Sequence, residues 1–159
     1  MELFLNENEI IVSKTDIKGR ITYGNQVFIK LSGYEESELL GKPHSIIRHK
    51  EMPKCVFKLL WDKIESGEEI FAYVVNQCKN GDFYWVFANV TPSFDTTGKI
   101  IGYYSVRRKP KEDAVKTMQG IYGALLNAER TGGMAAGTKL LDETLRTKGV
   151  SYDAFILSL

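Results

Sequence analysis

The stretch IFAYVVNQCKNGDFYWVFANVTPSFD, residues 70 to 95, leaves the chain few ways to fold. β-branched and aromatic residues on both sides of Asn80-Gly81 favour extended backbone, and Asn-Gly readily supplies the positive φ values of a tight hairpin turn. Strands over 69–78 and 83–94 follow. The next stretch, GKIIGYYSVRRKP, predicts a third strand over 99–108, with Asp95, two threonines and Gly98 forming the second turn.

Upstream, IIVSKTD (10–16) and KGRITYGN (18–25) alternate in the same manner around an Asp-x-x-Gly turn in which Gly19 supplies the turn conformation. Asn25 is placed to cap a helix carrying Val27, Phe28 and Leu31, with Gly33 as its stop. The segment YEESELLG repeats that logic, with acids in the first turn, Leu39 and Leu40 inward and Gly41 at the end. KPHSIIRHKEMP (42–53) reads as an irregular link before a longer helix over 54–67, where Phe57 and Trp61 share a face at i and i+4. Two strands, short helices, one longer helix and a three-strand meander define an α+β fold with five antiparallel strands and helices on one face. Beyond Pro110 the strand pattern gives way to helical spacing, so residues 1–110 are expected to form one domain and 111–159 a helical extension. TGGMAAG (131–137) is expected to break that extension flexibly. Met118, Ile121, Tyr122, Leu125 and Leu126 form an apolar set there that would dock a partner, dimerise, or cover the chain's own sheet.

Composition narrows the function. The chain has 159 residues, 21 Lys and Arg against 20 Asp and Glu, and a net charge of +1, so no global field draws nucleic acid or an anionic membrane. No apolar run is long enough to span a bilayer and the start lacks a signal-peptide pattern, which predicts a cytoplasmic protein. Cys55 and Cys78 fit neither a disulfide framework nor a Cys-x-x-Cys site and are expected to be free thiols. There is no P-loop, no nucleophile elbow and no dinucleotide fingerprint, so no enzymatic activity is expected.

TDIKGRITYGN, SGYEESELLGKPH, IIRHKEMP, NQCKNGDFYWVFANVTPSFD and GYYSVRRKP resemble the PAS domain of bacterial aerotaxis and energy-taxis receptors over roughly residues 10–110, the Arg-His-x-acidic-Met-Pro motif being the most specific part. The resemblance implies a PAS fold with non-covalent FAD between sheet and helices, serving as a redox or oxygen sensor in signal transduction. It places cofactor-binding residues at Arg48, His49, Glu51, Trp61 and Asn76, with Asn25 as a further candidate wall or hydrogen-bond partner. An arginine offers a planar fork to a phosphate or ribityl oxygen, an asparagine offers donor and acceptor to the flavin's pyrimidine edge, and a tryptophan can stack on its rings. The chain departs from the family at Lys50, where proline is usual, and at Glu51, where aspartate is usual. In the related receptors a membrane segment and signalling domain follow; the short extension here implies output through a separate membrane-bound chemoreceptor or another signalling protein, with a homodimer as a further option.

Alternatives stand beside these readings. His49 could ligate haem axially in a haem-binding PAS domain, or the cavity could be filled by side chains in a cofactor-free adaptor. His44 and His49 lack the further ligands of a metal site, so none is expected. Arg48 and Glu51 could be a local ion pair. Trp85 reads as core, and Arg107, Arg108, Lys109 and Lys111 as a solvated strand end or a docking patch.

Overall fold

The computed structural model describes residues 1–159. Its elements are β1 (Glu2–Leu3), β2 (Ile11–Thr15), β3 (Ile21–Gly24), α1 (Gln26–Ser32), α2 (Glu36–Leu39), a 3-10 turn (His44–Ile47), α3 (Lys54–Glu65), β4 (Ile70–Gln77), β5 (Phe83–Phe94), β6 (Ile100–Arg108), α4 (Glu112–Lys148) and α5 (Tyr152–Ser158). The five expected strands are present. They form a sheet in which β3 pairs β2, β2 pairs β6, β6 pairs β5 and β5 pairs β4, all antiparallel. The expected strand set missed β1, which adds two residues in parallel alongside β5 through Glu2 opposite Phe83 and Leu3 opposite Tyr84. Two residues are too short for a period to register in sequence.

Local chemistry accounts for the punctuation. Asn25 caps α1 through its Oδ1, which accepts from the Phe28 N–H at 3.1 Å. Glu35 and Glu38 close a capping box at α2. Pro92 sits inside β5, but β4 ends at Ile70 opposite Val90, so beyond that point β5 has β6 alone as a neighbour and tolerates a missing N–H. Alternation then sorts the faces. On β4 and β5, Val74, Asn76, Ala88 and Val90 face α3, whereas Trp85 lies under α4, its ring stacked on Tyr122 at 6.0 Å.

The C-terminal extension does break inside the expected segment 131–137, and the break is one residue wide: Gly133, at φ 69° and ψ −169°, parts two helical stretches. Glycine adopts that positive φ without a Cβ penalty, so the chain kinks there and helix resumes directly after it. The two halves of α4 and the short α5 fold back onto α3 and β4. Met118, Tyr122, Leu125, Leu141, Tyr152, Phe155 and Ile156 join the same buried cluster as Phe28, Ile64 and Val86. Of the roles open to the apolar set, the extension covers the chain's own sheet.

No helix is long and apolar enough to cross a membrane. Both cysteines are free and buried.

Candidate functional site

Between the inner face of the sheet and the helical side lies a cavity of about 360 Å³. Its sheet wall is Ser13, Thr15, Val74, Asn76, Ala88, Val90, Tyr103, Ser105 and Arg107. The opposite wall is Lys18, Gly19, Pro43, His44, Ser45, Arg48, Leu60, Trp61 and Ile64. Its volume falls within the usual range of small-molecule sites. Three cations, Lys18, Arg48 and Arg107, line it and no carboxylate does.

Arg107 is the residue the sequence reading misplaced. Far from ending a strand in solvent, it is 2% exposed, its guanidinium 4.8 Å from the Phe28 ring, with Nη2 donating to Ser13 Oγ at 2.6 Å. The cause is the two-residue period of β6, which puts Tyr103, Ser105 and Arg107 on the cavity side. Counting forward in twos from Tyr103 reaches it. Burial pushes the Arg107 pKa down to about 10, which still leaves it charged at neutral pH. No carboxylate pairs with it, and its Nε has no hydrogen-bond partner. A buried cation in that position is costly unless something in the cavity compensates it.

A polar chain extends from this arginine. Ser13 Oγ, having accepted from Arg107, lies 3.0 Å from His44 Nε2. Which of the two donates follows the His44 tautomer, since a serine oxygen can accept twice or donate once. His44 also stacks on Phe28 at 6.0 Å. Desolvation first, and the Arg107 and Arg48 charges after it, push the His44 pKa down to about 3, so the ring is neutral at physiological pH. Across the sheet, Asn76 Nδ2 and the hydroxyl of Tyr84, its register partner, are buried without a well-formed hydrogen bond, as is Thr15 Oγ1. Of these three residues, Thr15 and Asn76 line the cavity.

The motif Arg48 to Pro53 acts mainly as a brace. Arg48 forms an isolated bridge with Asn76, and its guanidinium sits 3.8 Å from the Phe57 ring. Met52 Sδ accepts from the Val75 N–H at 3.4 Å. The loop thus binds the edge of β4 that β5 leaves free, at the very residues beside and including Asn76. Of the six residues singled out in the sequence, Arg48, Trp61 and Asn76 line the cavity. Trp61 packs edge-on against Tyr103 at 5.4 Å and lies over Gly19, where a Cβ would approach its ring to 3.0 Å.

The other three lie elsewhere. His49 packs on Phe83 at 5.4 Å and its Nδ1 accepts from the Glu51 N–H at 3.1 Å, outside the cavity. Glu51 borders a separate outer groove with Lys50 and Lys54, and makes no ion pair with Arg48. Asn25 is occupied structurally: beyond capping α1, its Oδ1 accepts from the Val12 N–H and its Nδ2 donates to the Ile10 carbonyl. The histidine that does line the cavity is His44.

The architecture is thus a sheet of antiparallel strands closing over a cavity beneath short helices, and comparison names the fold. A family profile described as the PAS fold matches residues 21–107, and the chain belongs to the PAS family. Among curated proteins it is 40% identical over 127 residues to the aerotaxis receptor of Escherichia coli K12, covering 80% of this chain and 25% of the receptor. It is 23% identical over 104 residues to a nitrogen fixation regulatory protein of Klebsiella pneumoniae, covering 65% of this chain and 21% of that protein. The chain therefore spans about a quarter of the length of these relatives. Among solved structures, the light-state LOV domain of the blue-light photoreceptor Aureochrome1 superposes with a TM-score of 0.62 at 24% identity, covering 67% of this chain and 86% of that one. A light-oxygen-voltage domain studied with a flavin analogue gives 0.60 at 26%, covering 69% and 82%.

Proposed function

We propose that the chain is a non-catalytic FAD-binding redox sensor for energy taxis, passing its state to a separate chemoreceptor or other signalling protein. The observation that carries this reading is the cavity's charge: a buried, unpaired Arg107 with Lys18 and Arg48 and no acid, opposite the unsatisfied amide of Asn76. Such a lining favours a planar ligand with hydrogen-bonding edges and anionic character, and the cavity's 360 Å³ matches a fused-ring head with the rest of a dinucleotide outside. The 40% identity to an aerotaxis receptor supports the same assignment and its connection to taxis.

A flavin supplies a ring whose charge changes when it takes up electrons. Arg107 would hold negative charge at the ring, and Asn76 would donate through its free Nδ2 or accept through its Oδ1. Strengthening the pull on Arg107 weakens its bond to Ser13, and so reaches His44 and the 3-10 turn. Trp61 would close the apolar side of the pocket. A haem reading gains nothing from the geometry: His49 stands outside the cavity, and the Nε2 of His44 is engaged by Ser13.

The absorption spectrum of the purified protein tests the proposal, with flavin bands expected and FAD recovered on denaturation. Arg107→Met sharpens it. Removing an uncompensated buried cation should leave the thermal midpoint of the cofactor-free protein unchanged or raised while FAD affinity falls about tenfold or more. A colourless protein that FAD does not reconstitute, or an Arg107→Met variant that retains FAD in full, sinks the assignment.

A further inference from the structure

The charge at the Arg107 end of the cavity does not balance. Arg107 is 2% exposed and still protonated at neutral pH, since burial lowers its pKa only to about 10. No titratable group near it supplies negative charge. His44 is neutral, its pKa pushed down to about 3 by burial and then by the Arg107 and Arg48 charges. Burial pushes the Tyr84 hydroxyl up to about 12 and the Cys78 thiol up to about 11, so both keep their protons. Lys18 and Arg48 add charge of the same sign, but both reach solvent, which screens them. One buried positive charge is left to match.

Three donors converge there. Arg107 uses Nη2 on Ser13 Oγ at 2.6 Å, while its Nε, Asn76 Nδ2 and the Tyr84 hydroxyl are shut from solvent without a well-formed hydrogen bond. The sheet brings them together. Asn76 and Tyr84 are register partners on β4 and β5, and Ala88, the register partner of Arg107, lies on the same face of β5 as Tyr84. The Arg107 charge acts on the Tyr84 hydroxyl across that face. On the helical side the Phe28 ring, 4.8 Å from the guanidinium, closes the space with apolar surface.

We infer that Arg107 Nε, Asn76 Nδ2 and the Tyr84 hydroxyl form a site for a small monovalent anion such as chloride, which a flavin displaces when it brings its own negative edge to Arg107. A water offers two lone pairs and no charge, so it leaves both the arginine and one donor uncompensated. A monovalent anion accepts from all three and neutralises the one buried cation. The displacement rests on the flavin reading; the anion site does not.

Thermal unfolding of the cofactor-free full chain in sodium chloride and in sodium gluconate, at equal ionic strength, provides the test. Chloride at about ten times its dissociation constant should raise the midpoint by ~3 °C over gluconate and weaken FAD binding about tenfold. Arg107→Met should abolish the difference between the salts, and Tyr84→Phe should shrink it. Asn76→Asp, whose carboxylate supplies the charge internally, should abolish it too and serves if the methionine variant does not fold. Line broadening in the chloride NMR signal should follow the same order. Equal midpoints in the two salts, or an equal difference in wild type and Arg107→Met, overturn the site. FAD affinity indifferent to chloride overturns the displacement. A chain that shows the chloride difference but never takes up FAD keeps the anion site and fails the flavin reading.

Discussion

Arg107 and His44 show how one side chain's surroundings set its chemistry. A histidine with its folded pKa near 3 must stay neutral while the unfolded chain binds a proton at about 6.5. Between those values the unfolded state holds more protons, so stability rises with pH and is lost as pH falls from about 6.5 towards 3. Denaturation of the cofactor-free protein should therefore show a slope approaching about 1.4 kcal/mol per pH unit from this group below its unfolded pKa. His44→Gln should flatten that slope, and an unchanged pH profile would show that His44 titrates normally in the fold. Asn76→Asp makes a second residue-scale case. An added carboxylate opposite Arg107 would supply the missing counter-charge, so the cofactor-free protein should be stabilised while FAD binds more weakly; equilibrium unfolding and FAD titration read the two effects separately.

At the scale of elements, the first hairpin and α3 meet at Gly19 and Trp61. Gly19 has a φ of 80°, and a methyl there would come within 3.0 Å of the indole. Gly19→Ala combines left-handed strain with that contact and should cost about 1 to 2 kcal/mol, visible as a lower denaturation midpoint. It should also shift Trp61 fluorescence, whereas Trp61→Ala should lower cavity-ligand affinity with a smaller effect on stability because Trp61 is only half-buried. Element boundaries were readable because turn and cap residues carry their own conformational chemistry: Asn80-Gly81 and Gly98 turned between strands, Asn25 opened α1 and Gly33 ended it, as expected. Gly133 was not readable in the same way. A glycine-rich run signals freedom, and only packing of α4 on α3 decided that the freedom would be spent as a bend.

Over the whole molecule the extension behaves as part of the core rather than as an appendage. Deleting residues 112–159 would expose Trp85 and leave the Phe71 and Tyr73 carbonyls without their tyrosine partners. The truncated chain should melt well below the full chain and tend to associate through the bared β4 edge, measurable by calorimetry and light scattering. A truncated monomer of unchanged midpoint would show that the first 111 residues form an independent unit.

Strand order, hairpin turns and the family motif lie in local sequence because periodicity and turn chemistry act over a few neighbours. From them came the α+β architecture and, through the motif, Arg48, Trp61 and Asn76. What the tertiary structure decided are relations between residues distant in the chain: Arg107 beside Ser13 and His44, Glu129 on the first turn of α3, and the tyrosines on β4. The motif's His49 and Glu51 carry no sign in sequence of whether they face the cavity or the loop's own backbone. Burial and partner geometry alone separate those outcomes, since they depend on which face of the sheet the rest of the chain covers.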